Sequence, residues 1–567
     1  MYIKIRRRRH GDRPYEYVDI VESFKSQGKV GHRTLGSLGR RDQLPPEKVD
    51  TLIAHLRKLA SPEGSGGVRL GEVEVERIRE FGIPWVAHHL WQQLGMDQLL
   101  RELPHPAGVP LEEAIFRMVM HHLCQPGSKL ALVDWVDEHQ TPHQGWQQTV
   151  QWPGGPQELG YHQYLRAMDC LHPHRQALEE ALFPRVTDLL SLPLRLVFYD
   201  LTSTYFEGDG VCELADYGYS RDHRGDRSQV VVGLAVTQEG VPITHKVFSG
   251  STVDVTTLRG MTGELRERFG LTEPVLVADR GMFSGDNVTE LEGMGQLYIL
   301  ALRSRQQLLG SLAVLAADQA GLERPRDPGA KWSWREVSVH AGPREVVVYS
   351  PFKALHDFEV RSRRIRTALQ QLGQLQRQAA DLDTQTLTER AVPILGKAKC
   401  RHYFQLTVGA GQLRFRHHRA YYRTQGRHDG VLVLETNHPA MTAAEIVEAY
   451  RQEQEVERVF RLLKSLLRMR PIYHHRQRRV ETHIFICFLA VLLAKLLELR
   501  LRAAGSSHSA AHALAILRRL QAVEQTWQGS TTVVQLTKPD PELLALLEAL
   551  GVKPPGRVLA VSRRVAA

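Results

Sequence analysis

The chain has 567 residues, 42% of them hydrophobic and 24% charged, with a net charge of +10 and a pI near 9.3. One core cannot fill that length, so three or four domains of about 150 residues are expected. The composition is that of a soluble globular protein, and the basic balance leans towards a polyanionic partner.

Four basic runs, Arg6 to Arg9, Arg361 to Arg366, Arg414 to Arg419 and Arg476 to Arg479, favour nucleic acid over an acidic protein. Cys124, Cys170, Cys212, Cys400 and Cys487 stand alone. That spacing speaks against a zinc ribbon or disulfide framework and for a reducing, cytosolic compartment. The start, Met1 to Arg6, lacks the apolar core of a signal peptide. The run Ile484 to Leu497 is short and interrupted by Lys495, so it reads as a core helix rather than a membrane span.

In chain order, residues 1–44 alternate as strands do at Tyr2–Ile5, Tyr15–Val21 and Val30–Gly36, which predicts a small antiparallel β arm. Residues 45–190 turn helical. Helices are expected from Pro46 to Leu59, Ile83 to Leu94, Leu111 to Leu123, Lys129 to Val136, Leu159 to Cys170 and Leu178 to Leu190, with a Gly/Ser-rich linker at Ser61 to Gly67. At Leu194 the texture changes to an α/β pattern, residues 191–303. Leu194 to Tyr199 is an apolar run closed by Asp200, as in a strand buried on both faces. A hairpin follows, Gln229–Thr237 and Val241–Phe248 across Gln238 to Gly240, then a helix from Thr256 to Phe269. Pro274 to Ala278 repeats the first pattern and ends on Asp279, with Gly281 permitting a tight turn, and Gly295 to Leu302 is one more buried strand.

Residues 304–437 read as a mainly β insertion. Strands are expected at Glu336–Val339, Arg344–Tyr349, His402–Val408, Gln412–His417 and Gly430–Glu435, and one long polar helix from Ala354 to Asp383. Residues 438–500 hold a helix entered through Thr442 as N-cap, with Glu445 three residues on. From Ala449 to Lys464 it carries Val456, Val459, Phe460, Leu463 and Leu467 as a buried stripe, and Tyr450, Glu453, Glu457, Arg461 and Lys464 on a second face. Glu457 and Arg461 make a favourable i, i+4 pair. Residues 501–567 read as a helical tail that becomes irregular after Gln525.

The second face admits two readings. It is a solvated charged face, or it is a metal-binding glutamate beside cations that hold phosphate. Two strand-ending aspartates bear on the choice. Asp200, Asp279 and Glu457 can converge on divalent metal, and hard carboxylate oxygens are the donors magnesium prefers. Two such cations about 3.5–4 Å apart activate a water or 3′-hydroxyl and stabilise the leaving oxygen of a phosphodiester. Taken singly, each aspartate could equally cap a turn.

The order strand-Asp, hairpin, helix, strand-Asp-Arg-Gly, long insertion, helix-Glu resembles the ribonuclease-H-like core of the DDE transposases of bacterial insertion sequences, in particular the IS-four type. The residues that carry the likeness are Phe198-Tyr199-Asp200-Leu201-Thr202-Ser203, Val277-Ala278-Asp279-Arg280-Gly281-Met282, Gly233 to Val236 with Gly240 to Ile243, Asp429-Gly430 through Thr436-Asn437, the set Tyr450, Glu457 and Lys464, and Arg470-Pro471-Ile472-Tyr473-His474. The resemblance implies that Asp200, Asp279 and Glu457 are catalytic and hold two Mg2+ ions, for which Mn2+ can substitute. It implies DNA contacts by Tyr450, Arg451, Arg461, Lys464 and Arg280. The partners implied are terminal inverted repeats and target DNA, bound by a homodimer in the bacterial cytoplasm at the nucleoid, without a membrane. The helical domain at 45–190 is the expected end-binding unit. One position departs: Glu453 stands where the family has arginine. That departure keeps alive the alternative of an inactivated, transposase-derived DNA-binding protein.

Overall fold

The structure is a computed structural model that describes residues 2–10, 13–26, 29–41, 44, 73–140, 159–192, 194–208, 212–222, 224–252, 257–271, 274–278, 285–302, 332–337, 343–527 and 531–563. The expected helix at Pro46 to Leu59, the linker at Ser61 to Gly67, and Asp279 to Met282 lie outside those residues.

The arm forms as expected: β1 (Tyr2–His10), β2 (Arg13–Ser26) and β3 (Lys29–Arg40) pair antiparallel in that order. After β4 (Val73–Glu80) come helices Gly82–Gln93, Met96–Glu102, Leu111–Cys124, Lys129–Gln140, Tyr161–Leu171 and Arg175–Leu190. They do not form a separate body. Helices Gly82–Gln93, Leu111–Cys124 and Tyr161–Leu171 pack on the long helix Gln477–Ala503. That helix is buried around nearly its whole circumference from Thr482 to Leu497, as an all-round apolar helix must be. No helix among the described residues is long and apolar enough to cross a membrane.

The central sheet follows: β5 (Leu196–Tyr205), β6 (Gln229–Thr237), β7 (Pro242–Ser249), β8 (Val275–Ala278) and β9 (Tyr298–Ala301). β5, β6 and β7 form an antiparallel meander, and β8 and β9 add in parallel on the other side of β5. This is the predicted ribonuclease-H-like core. Its two faces bury different cores, because alternate strand residues point to opposite sides. Val197, Tyr199 and Leu201 meet Leu258, Met261 and Leu265 of helix Leu258–Phe269. Phe198 and Phe206 share a core with Val456, Val459, Phe460 and the long helix.

The insertion extends this sheet. β10 (Ser333–Val337) and β11 (Arg344–Tyr349) precede a two-stranded ribbon, β12 (Phe404–Gly409) and β13 (Gln412–His417), and the chain returns through β14 (Val431–Thr436). β14 pairs with β9, so the full order is β10-β11-β14-β9-β8-β5-β6-β7. The five expected strands are present, yet much of the insertion is helical. Besides Pro351–Arg377 there are helices Thr384–Lys397 and Arg419–Gly426. Leu387, Ala391 and Leu395 close a small core against Leu372 and Leu413. Polar neighbours mask that i, i+4 stripe in the sequence.

The helical tail expected at 501–567 is corrected. Among the described residues there, the long helix ends at Ala503 and only Ala510–Leu517 and Pro541–Ala549 follow as helices. β15 (Gln521–Trp527), β16 (Thr531–Leu536) and β17 (Val558–Arg563) pair with β4 in the order β17-β16-β15-β4. Ala522 and Glu524 of β15, and Thr532, Val534 and Leu536 of β16, point inward. The inward Glu524 breaks the apolar alternation because it is held by Arg79 of β4 at 2.9 Å, with both side chains buried.

Candidate active site

Asp200 does not end its strand. β5 runs on to Tyr205, and Asp200 is the one position between Leu196 and Thr204 that is not fully buried. Ala278, the last described residue of β8, lies opposite Tyr199, one position before Asp200. The C-terminal ends of parallel strands are where open α/β sheets place chemistry. Asp200 Oδ1 accepts a hydrogen bond from Leu201 N at 2.7 Å. By alternation Asp200 shares the face of Phe198, which is the face that Val456, Val459 and Phe460 cover. Asp279 and Arg280, next in sequence after Ala278, lie outside the described residues.

The helix expected to run unbroken from Ala449 to Lys464 is broken. Thr442 caps its first segment with the predicted box: Thr442 Oγ1 accepts from Glu445 N at 3.3 Å, and Glu445 Oε2 accepts from Thr442 N at 2.8 Å. That segment, Ala443–Arg451, ends and a second, Gln454–Arg461, begins at Glu453. Across the junction the bonds shorten to i−3, with Glu453 N to Tyr450 O at 3.0 Å and Val456 N to Glu453 O at 3.0 Å. Leu462–Leu466 then widens to a π turn, a form frequent at functional sites. The break places Glu453 at an N-terminus, where the helix dipole favours a carboxylate. That gives the residue a local reason to be acidic.

The second segment packs on β5 and β6 through its buried Val456, Val459 and Phe460. Glu457 is exposed on its outer side and has no hydrogen-bond or ion-pair partner among the described residues. Arg461 is likewise exposed and unpaired there, so the expected Glu457–Arg461 pair does not form. Lys464 behaves differently. Its Nζ donates to Asp222 Oδ1 at 2.8 Å, and Arg470 pairs with the same carboxylate. Burial lowers the Lys464 pKa, and the Asp222 contact opposes that shift. Asp222 itself is buried; it is a site residue that the sequence reading missed, in a polar loop after β5 that offered no periodic signal. Arg451 pairs with Glu448 at 3.1 Å and lies over the Trp332 ring at 4.7 Å. Tyr450 packs against the main core.

Beyond the π turn, the segment carrying Arg470 to Tyr473 runs back to β5. Ile472 N donates to Tyr205 O at 2.9 Å, and Glu207 N to Ile472 O at 2.9 Å. β5 therefore carries Asp200, packs against the Glu457 segment and is hydrogen-bonded to the chain that follows it.

Several basic runs are spent on structure. Arg6 and Arg7 bind Asp19 and Glu16 across the arm at 2.7 and 2.9 Å. Arg361 pairs with Asp429, and Arg478 and Arg479 hold Asp169.

The sequence matches the Transposase DDE domain family over residues 193–493. The chain belongs to the DDE transposases. Its first part, residues 3–65, also matches the N-terminal domain of IS1634 family transposases. No curated protein sequence matches the chain. Among solved structures, the transposase is similar to a piggyBac transposase synaptic complex with hairpin DNA, at 9% identity over 77% of each chain with a TM-score of 0.36. It is also similar to the Mos1 transposase paired-end complex with left transposon end, at 13% identity over 34% of this chain and 60% of that one, with a TM-score of 0.15. DDE transposases use divalent metal. Carboxylates are the donors a hard cation takes; Asp200 is partly buried on β5, and Glu457 is exposed, with no partner among the described residues, on the outer side of the segment that packs on that strand.

Proposed function

We propose that this transposase cleaves the ends of an insertion sequence and joins the freed 3′-hydroxyls to target DNA. The observation that carries the reading is the shared face of the central sheet. Asp200 is the one half-open position in an otherwise buried stretch of β5, and the segment bearing Glu457 packs on that strand. Asp200, Asp279 and Glu457 would hold two Mg2+ ions, or Mn2+ in their place. Bound there, the ions supply a lowered pKa for the attacking hydroxyl and charge stabilisation at the leaving oxygen. The carboxylates do the remaining work by staying ionised and by fixing the donor positions from a rigid strand and a short helix. A water oxygen attacks the phosphorus, and the strand departs as a 3′-hydroxyl. That hydroxyl then attacks a phosphodiester of target DNA and releases a target 3′-hydroxyl, so the number of phosphodiesters is conserved in the joining step.

Arg461, exposed one turn after Glu457 and without an ion-pair partner among the described residues, is the cation best placed to hold a DNA phosphate. Arg280 and Tyr450 are assigned supporting DNA contacts. Arg451 and Lys464 reach DNA only by leaving Glu448 and Asp222, so their contribution is smaller. Two element ends are brought together by two copies of the chain, which act at the nucleoid. The test is nicking and strand transfer on the element's own terminal repeats in Mg2+. Glu457→Gln should bind the ends and yield neither nicked nor joined product. Wild-type product levels from Glu457→Gln would remove Glu457 from the active site.

A further inference from the structure

Beside the π turn lies a cavity of about 120 Å³, walled by Ser128, Lys129, Arg468, Arg470, His474 and His483 among others. One water needs only about 10–15 Å³ measured this way, so an oxyanion fits with solvent to spare. Three features of the wall are cationic. Lys129 is buried, and its Nζ lies 3.4 Å from His122 Nε2. Neither Lys129 nor Arg468 has an ion-pair partner among the described residues, whereas Arg470 already answers Asp222. A buried ammonium without a counter-ion is costly, and burial pushes the Lys129 pKa down to about 8. The third feature is backbone. Helix Lys129–Gln140 starts at this wall, with Ser128 Oγ accepting from Ala131 N at 3.1 Å. The first-turn N–H groups of a helix are a ready anion site.

The floor is neutral and oriented. His122 Nδ1 donates to Leu467 O at 2.8 Å, which leaves Nε2 to accept from Lys129. His483 Nε2 donates to Met469 O at 3.0 Å, and its buried Nδ1 has no hydrogen-bond partner among the described residues. His122, His483 and Cys487 have metal-ligand chemistry, with donor atoms within 4.8 Å of one another. The adjacent ammonium and the engaged His483 Nε2 oppose a cation there. The same groups suit an anion, because they aim Lys129 and compete for no negative charge.

We propose that this cavity is a phosphate-binding site, with Lys129, Arg468 and the start of helix Lys129–Gln140 as its ligands. Its wall is continuous in sequence with the Glu457 segment through Leu467 to Arg470. The natural source of the phosphate is the DNA strand held at the active site. That source rests on the transposition reading above, whereas the pocket itself is tested without cleavage.

Thermal unfolding of the full chain is followed in inorganic phosphate and in chloride at equal ionic strength. Binding to a short duplex is measured in parallel over a salt series. Phosphate should raise Tm of the wild type. The rise should be lost in Lys129→Met and at least halved in Arg468→Ala, whose exposed side chain leaves folding intact. If DNA supplies the phosphate, the slope of log affinity against log salt should shrink by about one in Lys129→Met. An unchanged slope with the phosphate response present assigns the site to free phosphate instead. No phosphate-specific rise in the wild type, or an equal rise in Arg468→Ala, overturns the site. Loss of cleavage in active-site variants leaves these readouts untouched, so the two readings fail separately.

Discussion

Asp222 ties the loop after β5 to both Lys464 and Arg470, and removing it should loosen the segment that carries Glu457. The carboxylate is buried, at 3% side-chain exposure, Lys464 is largely buried, at 13%, and Arg470 is 29% exposed. Breaking a buried pair by deleting one partner costs about 3–5 kcal/mol, most of it from the charge left behind. Arg470 can rehydrate, and Asp222 Oδ2 has no hydrogen-bond partner among the described residues, so Asp222→Ala should sit at the lower end, about 3 kcal/mol. Asp222→Asn keeps one acceptor and should cost about half of that. The assay is a double-mutant cycle by thermal or denaturant unfolding. Because Lys464→Met removes the stranded ammonium, Asp222→Ala with Lys464→Met should be less destabilised than the sum of the single changes. Strict additivity, or an Asp222→Ala effect under about 0.5 kcal/mol, would show that the contact does not hold the segment.

Three further outcomes follow from buried features. Ideal Cβ placement at Gly233 in β6 falls 2.5 Å from Tyr199 Oη and 3.1 Å from Leu201 Cδ2, so Gly233→Ala should cost about 1–3 kcal/mol and be partly relieved by Tyr199→Phe; an unchanged Tm would refute that packing. Burial holds His121 near pKa 3, His483 near 3 and His474 near 2. The folded values lie below the unfolded value, so below about pH 6.5 the unfolded chain binds protons that the folded chain refuses. Stability is therefore full above about pH 6.5 and falls as pH drops, by about 2 kcal/mol per imidazole at pH 5. A Tm equal at pH 7 and pH 5 would contradict this. Glu524→Gln strands Arg79 between β4 and β15 and should cost about 3–5 kcal/mol; limited proteolysis should then release the C-terminal strands early, and an unaltered digestion pattern would argue against it.

The central sheet was legible in the sequence because its strands are apolar runs with clear turn signals between them. Most of Leu194 to Asp200, both arms of the hairpin across Gln238 to Gly240 and the second half of the run at Gly295 to Leu302 fall on strands of the sheet. Other features depended on contacts that only the folded chain makes. β15 carries an inward glutamate whose partner, Arg79, is 445 positions away, so its alternation looked irregular. The break at Glu453 conserves the helical stripe of Val456, Val459 and Phe460, which made one continuous helix the simplest reading. Asp222 sits in a loop with no periodicity, and its role comes from Lys464 and Arg470, far along the chain. Of the three carboxylates read from sequence, Asp200 and Glu457 fall on elements packed together, and Asp279 follows the strand beside Asp200.

The proposed active site depends on Asp200. A plasmid carrying the element's two ends should be bound by wild type and by Asp200→Ala alike, and in Mg2+ only the wild type should nick it at the ends. Nicking by Asp200→Ala at the wild-type rate would contradict the proposed active site.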